Sequence, residues 1–199
     1  MTVKRCFDLL CSSVGLLALS PFFLIIAFRI KRDSFGPVFF RQERVGKNGV
    51  PFKIHKFRTM IVDSEMQGRL TVGKDSRITA SGHFLRKYKL DELPQLIDVW
   101  RGDMSLVGPR PEVQEFINCY SDSDRRIILS VLPGITDLAS ISLVDENELL
   151  TKYDDPHSAY VNILLPMKRD YYLDYIKKQS FLFDLKIIFL TFYKVLRFS

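Results

Sequence analysis

The sequence predicts an α+β fold: a mainly helical domain with a small β-hairpin, an N-terminal membrane helix and interfacial amphipathic helices. Three observations carry that reading. Leu9 to Phe28 contains no charged residue, Gly36 to Met60 holds two extended runs around a GKNG turn, and much of the remainder alternates short helical runs with Pro, Gly, Ser and Asp breaks. At 199 residues the chain suits one domain with a proper core and is short for two. The expected division is a membrane helix over 1–32 and a membrane-associated domain over 33–199.

The charge-free run is twenty residues long, and at about 1.5 Å per residue it matches a bilayer core. Lys4 and Arg5 precede it, and Arg29, Lys31 and Arg32 follow it, so the positive-inside tendency asks both ends to stay on the cytoplasmic side. Ser20-Pro21 offers a way to satisfy that. Proline removes a helix hydrogen bond and favours a kink, so the helix is expected to enter and leave by one face. A signal peptide is the competing reading, but Pro21 beside the cleavage position and the lack of an A-x-A site argue against it.

Residues 1–60 hold eleven Lys/Arg against three Asp/Glu, which puts +8 of the formal +6 there and leaves −2 for the rest. Such a basic arm can serve nucleic acid, yet it surrounds an apolar segment and contains no nucleic-acid module. Anionic lipid headgroups are the expected partner, and nucleic acid is not. Cys6, Cys11 and Cys119 are odd in number and lack metal spacing, so buried thiols in a reducing compartment are expected. His55, His83 and His157 are too scattered for a histidine metal site.

In the hairpin, Val50, Phe52 and Ile54 alternate with Pro51, Lys53 and His55, which predicts one apolar and one exposed face. Arg41, Arg44, Lys53, Lys56 and Arg58 then form either a solvated edge or a face toward phosphate, with Arg58 the best functional candidate. Asp63 to Gly82 has little periodicity and reads as a loop. His83 to Leu90 is a short basic helix leading to the acid pair Asp91-Glu92. With Pro94 close behind, Asp91 is expected to cap a helix through Gln95, Leu96, Val99 and Trp100, whose positive end keeps the carboxylate ionised. Capping is one use of that residue and chemistry is the other.

What favours chemistry is GDMSLVGPRP, where glycines and prolines fix a loop that presents Arg110 between Pro109 and Pro111. A stiffly held guanidinium is a good fork for phosphate oxygens. Beyond it, EVQEFINCYSDSDRRIILSVLPGIT reads as two short helices split at SDSD and stopped at Pro133-Gly134. Tyr160 to Tyr175 reads as helical, and SFLFDLKIIFLTFYKVLRF as an amphipathic helix at an interface or against the core.

The runs KRCFDLL, LSPFFL, GPVFFRQERVG, FKIHKFRTM, LDELPQL, GDMSLVGPRP and PGIT, in this order and spacing, resemble the bacterial sugar transferases, the small monotopic phosphoglycosyl transferases, over most of the chain. The resemblance implies a re-entrant helix broken at Ser20-Pro21 and a catalytic domain on the cytoplasmic face of the bacterial inner membrane. It also implies transfer of a phospho-sugar from a UDP-sugar to polyprenol (undecaprenyl) phosphate with release of UMP, as the first membrane step of a surface glycan. Asp91 would be the nucleophile and Glu92 would hold Mg2+. KDSRIT resembles the family's D-P-R-I-T run, with Ser76 in place of Pro, which makes Asp75 and Arg77 weaker candidates for substrate binding than Arg58 and Arg110. Past PGIT the chain departs from the family: Asp137 stands where Gly is frequent, ASISLVDENELL replaces A-Q-V-N-G-R-N, and its Arg is missing. Asp145, Glu146 and Glu148 there read as the acidic first turn of a helix. A homodimer stays open. The rivals are a metal-dependent polyprenyl-diphosphate phosphatase and a non-enzymatic membrane-surface adaptor.

Overall fold

The computed structural model describes residues 2–64, 73, 75–143 and 146–198. It is mostly helical, with one antiparallel hairpin, a second short parallel pair and one long apolar N-terminal helix. That helix, α1, runs from Val3 to Asp33 through Pro21. Pro21 has no N–H to give the Leu17 carbonyl, and the Ser20 hydroxyl donates to that carbonyl instead at 2.8 Å. By length and composition α1 is the one described helix able to cross a membrane.

Strands β1 (Phe39–Val45) and β2 (Pro51–Phe57) pair in the expected hairpin, with Phe39 opposite Phe57 and Val45 opposite Pro51. The turn needs left-handed backbone at Asn48 and Gly49, with φ of 58° and 79°, which these two residue types supply at low cost. The two-faced pattern fails at His55. It is buried, because its backbone N–H and Nδ1 both meet Asp98, at 2.8 and 2.5 Å.

Helix α2 (Ala80–Lys87) is capped by the Thr79 side chain, which accepts from Gly82 N–H. A 3₁₀ turn over Leu90–Glu92 leads to α3 (Gln95–Arg101), which ends at Gly102 in left-handed backbone. Short β3 (Ser105–Val107) runs parallel to β4 (Gly134–Thr136), so PGIT is a strand and not merely a helix stop. Gly108 and Gly134 lie where these backbones meet; a Cβ on Gly108 would strike the Leu132 carbonyl. Between them, α4 (Gln114–Ile117) and α5 (Asp122–Ile128) form the two expected helices, and Ser121 caps the second. SDSD therefore opens the second helix, and the first ends at Ile117.

Helices α6 (Leu138–Ser142), α7 (Glu146–Leu150) and α8 (Pro156–Ala159) precede a π turn over Tyr160–Leu164, α9 (Leu165–Lys178) and α10 (Phe181–Phe198). Asp145 and the Glu148 side chain lie outside the described residues, as do residues 65–72 and 74 of the 63–82 loop. The largest core cluster joins Val113, Phe116, Ile128, Tyr160, Leu164, Leu165 and Tyr172. The cysteines are free, and Cys6 and Cys119 are exposed instead of buried: Cys6 is on an outward face of α1 and Cys119 is in the turn after α4.

Helix α1 is fastened to the elements that follow it at both ends. At its start Lys4 Nζ donates to Val107 O at 2.9 Å, and Arg5 donates to Val99 O at 2.6 Å. Asp8 accepts from Ser105 Oγ at 2.8 Å. At its end Ile26 and Ile30 pack with Phe57 and Leu85, and Asp33 accepts from Ser81 N–H at 2.7 Å. Helix α10 is amphipathic in an unusual sense. It buries Asp184 and Ile187 against the domain and leaves Leu182, Phe189 and Phe192 exposed.

Candidate active site

Three separate elements converge on the acid pair. The end of β2 supplies Lys56, the 3₁₀ turn supplies Asp91 and Glu92, and the loop after β3 supplies Arg110. Lys56 Nζ reaches Glu92 Oε1 at 2.9 Å, and Arg110 closes a two-pronged pair on Glu92, with Nη1 at 3.1 Å from Oε2 and Nη2 on Oε1. Burial alone would push the Glu92 carboxyl up, but the two cations outweigh it and hold it well below the usual carboxylate range. Burial likewise pulls the Lys56 ammonium down, against the pull of Glu92.

Asp91 differs from its neighbour. It is 9% exposed, and no described side chain makes a hydrogen bond or ion pair with its carboxylate. Burial, and then the adjacent Glu92 charge, raise its pKa; Lys56 and Arg86 pull the other way. The expectation that Asp91 caps the following helix is corrected: Asp91 sits inside the 3₁₀ turn, and Pro94 occupies the N-cap position of α3 with no side-chain cap bond. Pro94 admits a turn of tighter helix ahead of it, which moves the helix start past the acid pair.

The other predicted residues divide. Arg58 makes no hydrogen bond or ion pair with Asp91 or Glu92 and spends its guanidinium on three backbone carbonyls, those of Pro37, Phe35 and Ser34, at 2.7, 2.6 and 2.8 Å. It fixes the exit of α1. Asp75 and Arg77 pair with each other, Nη2 to Oδ2 at 2.6 Å, and Arg77 Nη1 also donates to Ser64 O at 2.9 Å. Ser20 and Pro21 lie on an exposed stretch of α1.

Arg86 was not singled out in the sequence, yet it links these parts. It lies on α2 with Nε on Thr59 Oγ1 at 2.9 Å, and it feels the charges of Asp91, then Asp75. Lys56 stood in the sequence as one of five cations on a hairpin edge, and folding alone selects it. No local pattern marks either residue, because their partners come from other elements.

Behind Arg110 lies a second polar cluster. Glu112 accepts from Tyr160 OH at 3.0 Å and pairs with Lys168 at 2.9 Å, while Arg44 donates to Pro111 O at 2.9 Å. Lys168 is buried and also meets Glu146 at 3.5 Å. A buried, unpartnered carboxylate beside an acid held by two cations, one on a proline-stiffened loop, can present a nucleophile to a phosphate whose charge the cations offset.

Comparison with known proteins gives the family of the chain. The chain is 39% identical over 198 residues to a UDP-glucose:undecaprenyl-phosphate glucose-1-phosphate transferase of Klebsiella pneumoniae, covering 98% of this chain and 40% of that protein. It is 36% identical over 200 residues to a UDP-N-acetylgalactosamine-undecaprenyl-phosphate N-acetylgalactosaminephosphotransferase of Aeromonas hydrophila, covering 98% and 44%. The chain thus spans about two fifths of the length of these relatives. It covers 88% of the uncharacterized sugar transferase EpsL of Bacillus subtilis (strain 168), at 36% identity over 199 residues and 98% of this chain. A family model described as bacterial sugar transferase matches residues 1–198, and the chain belongs to that family.

Proposed function

We propose that this chain transfers a phospho-sugar from a UDP-sugar to polyprenol phosphate at a membrane surface and releases UMP. The carrying observation is Asp91, a buried carboxylate without a described partner, next to Glu92 clamped by Lys56 and Arg110. An Asp91 oxygen attacks the phosphorus that bears the sugar, the bond to the UMP oxygen breaks, and the phosphosugar remains on Asp91 as an acyl phosphate. An oxygen of the lipid phosphate then attacks the same phosphorus and frees the carboxylate, leaving a polyprenyl-diphospho-sugar. Arg110 and Lys56 offset charge on the diphosphate, which otherwise repels a carboxylate nucleophile.

The adjacent acids present only oxygen donors, which suits a hard divalent cation completed by substrate phosphates and water. Mg2+ would suit that donor set, held by Glu92 through the oxygen lone pairs that Lys56 and Arg110 leave, and would supply further charge neutralisation.

Membrane placement is part of the same reading. A polyprenyl chain leaves the bilayer at a cost of roughly 0.8 kcal/mol per methylene, so the site must lie at headgroup level. Both ends of α1 are tied to the elements that follow it, which supports re-entry with both termini on the cytoplasmic side, and the exposed Leu182, Phe189 and Phe192 of α10 suit an interfacial seat. The service of a surface glycan belongs to this proposal too. Incubation with a panel of UDP-sugars and polyprenol phosphate tests it: UMP release that needs the lipid acceptor is expected. Phosphate release from a polyprenyl diphosphate instead, or no turnover with any donor, overturns it.

A further inference from the structure

Strand β3 ends three residues before Arg110, and it is gripped by side chains of α1 together with Tyr175 of α9, whose OH reaches Val107 O at 3.2 Å. Asp8, 2% exposed, accepts from Ser105 Oγ at 2.8 Å and from Leu106 N–H at 3.1 Å. Lys4 donates to Val107 O at 2.9 Å and is itself paired with Asp184 of α10 at 2.5 Å. Tyr175 OH donates to that Asp184 at 2.8 Å. Two three-residue strands are marginal as a unit without such support. From Val107 the chain is stiff: Gly108 is pressed against the Leu132 carbonyl, and Pro109 and Pro111 flank Arg110. A shift of β3 is therefore carried into the guanidinium rather than absorbed by a flexible loop.

The same two turns of α1 also hold the other half of the site. Arg5 donates to Val99 O at 2.6 Å and Trp100 O at 3.1 Å, at the end of the helix that follows Glu92. A carboxylate as buried as Asp8, immediately before the charge-free run of α1, is costly unless its partners fix something.

We propose that Asp8 and Lys4 are positioning residues for Arg110, acting through β3, so that seating of the membrane helix sets the phosphate-binding fork. The proposal rests on the reading of Arg110 as a phosphate ligand. Misplacement of a reacting group by about 1 Å costs about a hundredfold in rate, and a loss of that order is expected in kcat for Asp8→Ala, with membrane insertion and thermal midpoint near those of the parent. Asp8→Asn keeps an acceptor for Leu106 N–H and should restore most of the turnover.

The deciding measurement is a mutant cycle on the full chain in lipid nanodiscs, reading UMP release. If Asp8 acts through Arg110, Asp8→Ala adds little loss in an Arg110→Lys background; should Asp8→Ala not fold, Ser105→Ala, which removes one of the two bonds to Asp8, takes its place. Losses that multiply, wild-type turnover in Asp8→Ala, or a loss that follows the unfolded fraction overturns the proposal alone. An Arg110→Lys variant with wild-type turnover overturns the reading of Arg110 itself, and the proposal falls with it.

Discussion

Glu92 lies between Lys56 and Arg110, and Glu112 lies between Lys168, Arg44 and the Tyr160 hydroxyl. Each carboxylate meets one lysine and one arginine, and in each case burial would raise the pKa while the cations bring it down. The two sites differ in what stands beside them. Glu112 is closed on all sides by partners, whereas Glu92 has Asp91 at its shoulder with its carboxylate unpaired among the described residues. A buried acid whose charge is fully matched holds elements together: Glu112 ties the loop after Arg110 to α9. A second acid in excess of that match costs stability and is retained where chemistry uses it.

Asp91→Asn should sharpen the contrast most. It keeps the size and removes the anion, so turnover should fall by about a thousandfold or more while the fold persists. Labelled UDP-sugar given without acceptor should leave phosphosugar on the parent and none on the variant; equal labelling would place the nucleophile elsewhere.

Lys168→Met is the matching change at the closed site. It strands Glu112 in the interior, and unfolding should become easier by about 3–5 kcal/mol, read as a lower denaturation midpoint. A variant as stable as the parent would show that Glu112 needs only Arg44 and Tyr160.

The smallest effect is a shift of a pH profile. Asp91 must be ionised to attack, and its pKa is raised by burial and by Glu92, so kcat/KM should fall on acidification through a limb above the ordinary Asp value of about 3.9. In Glu92→Gln the like charge is gone while Lys56 and Arg110 remain, so the Asp91 pKa drops and the limb moves to lower pH, even though turnover is reduced. A limb that stays in place would assign the titration to another group.

Arg58 and Arg110 show how far residue type alone carries. Both looked like phosphate ligands, yet Arg58 is consumed by three backbone carbonyls and Arg110 faces Glu92. The difference lies in which element each is carried to. Similarly, β3 and β4 escaped notice because a three-residue strand has no periodicity to read.

By itself the sequence determined what is local: the long charge-free helix with Ser20-Pro21, the hairpin around Asn48-Gly49, and the motif order that places the chain in its family. Spacing, turn chemistry and apolar periodicity act over a few residues, so they are legible without a fold. Tertiary structure alone decided the electrostatics. Lys56 meets Glu92 across 36 residues and Asp8 meets Ser105 across 97, and the unpaired state of Asp91 is a property of everything packed around it. Charge and burial act through space, and neighbours in space are set by how the elements pack.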